Sequence, residues 1–489
     1  MLRDAIDRFH DLLSDDIAQD SQWQLDEQLR QRGLYFGDRP LCTVLRPRFM
    51  SPGQYRHLQR RAGLVLEAFA TAYEAAVADD TVLEQFGLTD WERDLVRLDP
   101  GFREPSPVSR LDAFFTADSG GLRFTEYNAE TPAGGAYNDV LTEAFYGLPI
   151  TREFLRDWDL RPLPARHNVL HALLDAYRQW SGGGAAPRIA IVDWSDVPTQ
   201  SEFALFRDYF MRQGLECVIT DPREIEYTGS RLVSPAGPVD LVYKRVLLPE
   251  LVDRCGIDNA ILRAVKDGTV CMVNPPRCKI LHKKASLAVL GDERNERLFS
   301  EEQREAIDAH IPWTRVVEER KTRAPRSSKI LVPSSGFQVP NADGHRNGLG
   351  MTGSELGTWN SELGTTDLID LLPFIADNRE QLVLKPHDEY GGKGIVLGWE
   401  VDQATWEAAL RTALDTPYIV QERIELPTEP YPSLVDGKVH VVDRMVDTAP
   451  YVAYGKYVDG CLSRLSTAAL LNVTAGGGSQ TPTFVAERR

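Results

Sequence analysis

Apolar positions recur at helical spacing through the first 90 residues, as at Leu64, Leu66, Phe69, Ala70 and Tyr73, and predict a mainly helical N-terminal region over residues 1–95. The period then changes. From Val108 to Asn128 two β-like runs, VSRLDAFFT and LRFTEYN, flank the turn-rich ADSGG and read as a hairpin within residues 96–165. Between Arg188 and Leu247 a strand (RIAIVDW), a helix (SEFALFRDYFMRQG) and two strands (LECVITD, VDLVYKRVL) follow one another, which predicts a small α/β unit within residues 166–275. A further βαβ-like stretch starts at CMVNPP and puts a helix over KKASLAVL, opening a last region over residues 276–489. There residues 322–366, rich in Gly, Ser, Thr, Asn and Pro and carrying the near-repeat GSELGTWNSELGTT, read as a long flexible surface loop or lid. Regular structure resumes with QLVLKP, PYIVQERI and a β-rich run from Val439 to Val473.

The hairpin pattern fixes a register. With Ser119 at the turn centre, Asp112 faces Glu126 and Arg110 faces Asn128, and the period of two puts all four on one face. Carboxylates directly opposite each other repel unless a cation lies between them. Asp, Glu and an amide carbonyl are hard oxygen ligands suited to Mg2+ beside substrate phosphates. The alternative is a solvated polar face in which Arg110 neutralises one acid.

Composition narrows the class. A chain of 489 residues with 42% hydrophobic and 26% charged positions is an ordinary globular protein of about three domains. Its net charge of -17 disfavours nucleic acid and anionic lipid as partners, although a local basic site can still take a phosphate. The six cysteines have no metal-ligand spacing, and no long apolar run or leader-like N-terminus is present, so a cytoplasmic location with reduced thiols is expected.

Lysine usage is more pointed. Only 11 of the 55 basic residues are Lys, none before Lys244, so lysine stands where arginine will not serve. Lys385 closes the apolar strand LVLKP and needs an anion there, either a phosphate or a salt-bridge partner. Gly391, Gly392, Lys393 and Gly394 form GGKG, a phosphate-cradling loop or a plain hairpin turn, and not a Walker A loop. PYIVQERI ends in Gln421 and Glu422, a strand able to line an adenine pocket and hold a ribose, or an ordinary edge strand. Near the C-terminus NVTAGGG sets Asn472 before three glycines, and Arg464 in CLSRLS is either a phosphate clamp or a surface residue.

Together these segments resemble the ATP-grasp superfamily, in particular the circularly permuted branch that includes the synthetase domain of glutathionylspermidine synthase. LVLKP, GGKG, YIVQERI and NVTAGGG run to the C-terminus in the usual order, and the pattern resumes at the N-terminal side with SRLDAFF and FTEYNAETP. Glu130 replaces the family's usual Asp in EYNxDTP. The resemblance implies an α/β (α+β) chain: a circularly permuted ATP-grasp fold with an inserted small α/β unit like a pre-ATP-grasp domain, and a helical N-terminal region. It implies an ATP-dependent ligase that joins a small-molecule or peptide carboxylate to an amine, with ATP and Mg2+. Asp112, Glu126 and Asn128 would hold the metal, Arg110 and Arg464 would act on the transferring phosphoryl group, and Glu130 and Thr131 would meet substrate. ATP would meet Lys284 (or Lys283), Lys385, the GGKG loop, Gln421 and Glu422. The alternatives are a non-catalytic nucleotide-binding scaffold of the same fold and an ATP-dependent phosphotransferase.

Overall fold

Ser51 sets the start of the longest helix, Pro52–Ala78: its hydroxyl accepts from the N–H of Gln54, the Gln54 side chain bonds back to the N–H of Ser51, and Pro52 needs no donor of its own. This computed structural model describes residues 2–115, 121–325, 368–389, 391–467 and 478–489. The buried stripe of the helix runs through Leu58, Ala62, Val65, Leu66, Phe69 and Tyr73, while Ala70 faces outward. That stripe packs in one core with Leu111 and Phe124 of the hairpin and with Ile280. The earlier helices, Leu2–Asp11 and Asp15–Gln31, share a second core with Tyr137, Phe154 and Phe484. The N-terminal helices are therefore part of the interior of the later chain.

The hairpin strands Val108–Phe115 and Leu122–Asn128 end a nine-stranded sheet. Next to them lies Ala449–Ala453, with Tyr451 opposite Arg110, followed by Tyr457–Ser466, Lys438–Val446 and Thr428–Val435. The last strand, Gly478–Arg488, pairs with Tyr457–Ser466 and also with Arg48–Met50 and Trp158–Pro162. The last strand thus joins Arg48–Met50 and Trp158–Pro162 to the same sheet. Arg110 pairs with Asn128 and Asp112 with Glu126. A bulge follows, with Ala113 opposite Phe124, so Thr125 is the extra residue and the ladder beyond no longer centres on Ser119, which lies outside the described residues.

The α/β unit is a parallel sheet of Cys217–Thr220, Ile189–Val192, Leu241–Lys244 and Cys271–Val273, in that spatial order. Its chain goes from Ile189–Val192 to one side and then returns to the other. A three-stranded sheet from Glu226–Tyr227, Leu232–Ser234 and Gly237–Val239 sits beside it, in a polar stretch without strand periodicity.

A second four-stranded sheet is antiparallel: Thr314–Val316, Tyr418–Glu422, Leu382–Pro386 and Val396–Leu397. Helices Leu371–Asp377 and Gln403–Asp415 back it, with Phe374 and Trp406 in the core between. The helix expected over KKASLAVL starts two residues later, as Ala285–Gly291, and Lys283 and Lys284 separate it from a preceding short helix, Cys278–His282. The segment expected as a loop from residue 322 opens instead with a strand, Lys321–Arg323, paired with Leu368–Asp370. Thr322 is buried there against Arg315 and Glu293, and residues 326–366 lie outside those described.

Candidate functional site

The hairpin places its four polar residues against the ends of the neighbouring strands. Asp112, 3% exposed, accepts from Arg110 at both carboxylate oxygens (2.7 and 3.0 Å), from Arg464 Nη2 at 2.7 Å and from Asn128 Nδ2 at 3.0 Å. Burial opposes its ionisation, yet the two guanidinium groups hold its carboxyl well below the usual range. Arg464 is itself aimed by Asp447, which accepts from its backbone N–H at 2.6 Å and from Nε at 2.5 Å. Asp447 moves the opposite way: burial, with Asp112 adding to it, raises its pKa.

Across the strands, Glu126 pairs with Lys284 Nζ at 2.8 Å, and burial is outweighed by Lys284 and Lys385, which lower its pKa. Each facing carboxylate thus has its own cation, and the expected repulsion between them is cancelled without a metal. Lys284 also donates to the carbonyl of Glu389 at 2.8 Å. Lys385 donates to Gln421 Oε1 at 2.7 Å, and Gln421 in turn donates to Thr314. Burial beside Lys284 lowers the Lys385 pKa to about 8.

Two cavities meet here. The first, about 800 Å3, is bounded by Asp112, Glu126, Lys385, Gln421, Glu422 and the backbone of Gly391 and Gly392, with an apolar side of Ile395, Trp399, Leu426 and Met445. Those apolar positions were not visible as a set in the sequence, because they come from three separate stretches. The glycines are required by geometry: Gly391, Gly392 and Gly394 have φ of 66°, 77° and 70°. A Cβ on Gly394 would stand 3.0 Å from Tyr418 Oη and 3.2 Å from Pro386 Cγ, so the loop lies tight on the end of the Lys385 strand.

The second cavity, about 490 Å3, takes Arg110, Asn128, Thr131 and Lys393 on one side, and Asp193, Arg245 and Glu250 of the α/β unit on the other. Glu126, Gly391 and Arg464 border both cavities.

Some expected roles change. Glu130 lines neither cavity: it is buried, and its carboxylate accepts from Lys244 (2.9 Å), the N–H of Leu248 (2.6 Å) and Lys279 (3.2 Å). It is a structural anion; Thr131 alone of that pair reaches the second cavity. Lys283 is taken by Glu92 and Asp388, both at 2.9 Å. Lys284 borders neither cavity directly and acts through Glu126. Asn472 lies outside the described residues. Lys244, Lys279 and Asp388 were not singled out by sequence, though the scarcity of lysine was a signal for the first two.

Asp112, Glu126 and Asn128 fit a magnesium ion by donor chemistry. Both carboxylates are held in the ionised form, and Asn128 spends its Nδ2 on Asp112 while its side-chain oxygen accepts no hydrogen bond among the described residues. To hold an ion, Glu126 would give up Lys284 at one oxygen and Asp112 would share an oxygen with Arg110 or Arg464. Glu130, His282 and Asp388 also lie close enough to share an ion, but the ammonium of Lys279 already contacts both carboxylates.

No protein-family model matches the chain. A Frankia casuarinae protein provisionally named glutamate–cysteine ligase 2-2 is 33% identical over 113 residues, a stretch that is 22% of this chain and spans only 13% of that relative. The fold is similar to that of a glutathione synthetase-like effector from Globodera pallida, solved in apo form: the TM-score is 0.52 at 14% identity, over 96% of this chain and 99% of the other. The mixed α/β architecture is therefore one shared with a glutathione synthetase-like structure. Among the described residues no helix is long and apolar enough to cross a membrane.

Proposed function

We propose that the protein is an ATP-dependent carboxylate–amine ligase of a circularly permuted ATP-grasp type. The observation that carries this reading is the pair of cavities separated by one wall, in which Glu126, Gly391 and Arg464 face both sides. ATP occupies the first cavity, its base on the Trp399 and Met445 side and its phosphates toward Lys385 and the glycine loop. The acid substrate occupies the second, with its carboxylate beside Arg110 and Arg464. Asp112, Glu126 and Asn128 would hold Mg2+, whose chemistry would be to offset charge developing on the phosphates.

The chemistry is charge management. A carboxylate oxygen attacks the γ-phosphorus, the bond to the β–γ bridging oxygen breaks, and ADP leaves. Arg110 and Arg464 are already oriented by Asp112 and Asp447, so their donors need little reorganisation as charge grows on the phosphoryl oxygens. An amine then attacks the acyl phosphate carbon, inorganic phosphate departs, and the nitrogen loses its proton to give an amide.

The test is ADP release measured with panels of acids and amines. Release that requires both partners supports the ligase; release with an acid or alcohol alone would make it a phosphotransferase. Failure of calorimetry to detect Mg·ATP binding would sink the nucleotide site itself.

A further inference from the structure

In parallel sheets ligands collect at the carboxyl ends of the strands, where the order of winding reverses. In the α/β unit that point lies between Ile189–Val192 and Leu241–Lys244, since the chain leaves the first strand to one side and returns on the other. The residues that immediately follow these two strands, Asp193 and Arg245, both line the second cavity, and Glu250 lines it with them.

Asp193 is 7% exposed, and among the described residues no cation forms a salt bridge with its carboxylate, although Arg245 and Lys244 act on it from further away. Its Oδ1 accepts from the N–H of Trp194 at 2.8 Å, the one hydrogen bond its side chain makes among the described residues. The nearest candidate, Arg245, is turned elsewhere: it donates to the carbonyl of Pro132 at 2.6 Å, stands 3.7 Å from Glu202, and lies over the rings of Phe203 and Tyr243. Glu250 is held by Trp194, whose Nε1 donates to its Oε2 at 3.0 Å. A buried carboxylate without a cation is costly unless a ligand completes it. At the same cavity's other end Glu126 is paired with Lys284, and Asp193 is by contrast a buried carboxylate with no such direct cation among the described residues.

We propose that Asp193, with Glu250 beside it, is a recognition subsite for a primary ammonium group carried by a substrate of the second cavity, remote from the carboxylate that is activated at Arg110. This rests on the ligase reading for the identity of the cavity's occupant, and the ammonium can belong to the amine or to the acid. Burial raises the Asp193 pKa to about 6 against the Trp194 N–H and Arg245, in keeping with a carboxylate that no cation contacts directly.

The experiment uses the full chain with Mg·ADP and calorimetry of four probes: 1,4-diaminobutane against 1,4-butanediol, and L-glutamate against glutarate. Binding of the diamine but not the diol places the ammonium on the amine substrate; binding of glutamate but not glutarate places it on the acid. Asp193→Asn is expected to weaken the favoured probe by about tenfold or more, the scale of a hydrogen bond to a charged group, with Mg·ADP affinity unchanged. Glu250→Gln serves as the second variant if Asp193→Asn does not fold. Equal binding of each ammonium probe and its neutral match, absence of binding by both ammonium probes, or unaltered affinity in the variants overturns the subsite while Mg·ADP binding leaves the ligase reading standing. Loss of Mg·ADP binding in the wild type, with ammonium binding intact, would instead remove the ligase reading alone.

Discussion

Glu126 is kept ionised in the absence of a metal by Lys284, which is only 5% exposed in its side chain. Removing the charge therefore strands the lysine. Glu126→Gln is expected to lower apo stability by about 1–3 kcal/mol, below the figure for a fully buried broken pair because Glu126 is partly exposed. Urea unfolding reads this, and the same variant should lose the thermal shift given by Mg·ATP. An apo protein as stable as wild type would mean that Lys284 finds its anion elsewhere. Asp193 carries the opposite sign. Its folded pKa of about 6 lies above that of an ordinary aspartate, so the folded state holds the extra proton and its relative stability is lost as pH rises from the ordinary value through 6. Asp193→Asn should consequently be more stable than wild type at pH 7.5 and close to it at about pH 3, where the carboxyl is protonated in both states, with Arg245, Lys244 and Glu250 as the charges that face the site. A less stable variant at pH 7.5 would show that Arg245 already satisfies the carboxylate. At this scale the opposition of Asp112 and Glu126 was legible, because antiparallel pairing and a period of two are local rules. The Lys284 partnership was not, since it joins residues far apart in sequence.

Elements locate the phosphate side of the site through backbone geometry. The glycine loop folds back on the strand Leu382–Pro386, and Gly394 meets both Pro386 and Tyr418. Gly394→Ala must accept a left-handed φ and a displaced Tyr418, at a cost of roughly 1–2 kcal/mol. The expected result is weaker Mg·ATP binding by calorimetry with the overall fold retained by circular dichroism. Unchanged affinity would separate the loop from the nucleotide. The strands around this loop were legible from short apolar runs ending in Lys385 and Gln421. The break between Cys278–His282 and Ala285–Gly291 was not. The polar run over residues 282–284 is its local sign, but the break itself is fixed by long-range bonds: the N–H of Lys284 donates to the carbonyl of His387, and Lys283 reaches Asp388.

At the scale of the whole molecule, one buried ionic network ties together layers that periodicity alone would divide. Lys279, with no exposed side-chain surface, contacts Glu130 after the hairpin, Asp388 before the glycine loop and Glu92 of the N-terminal helices, while Glu130 continues to Lys244 of the parallel sheet. Asp388 is held at a pKa of about 2 against burial by Lys279 and Lys283. Charges so enclosed contribute little net stability as a set, because desolvation consumes much of their attraction, but loss of one member leaves the others unpaired. Lys279→Met is therefore expected to cost about 3–5 kcal/mol, the range for breaking a buried pair. Since its three carboxylate partners belong to three different layers, the loss should lower one shared unfolding transition. Calorimetric unfolding of the apo chain decides this: a single transition displaced to lower temperature is the expected record. Two transitions, with only one displaced by Lys279→Met, would show that the layers unfold independently and that the network belongs to one of them.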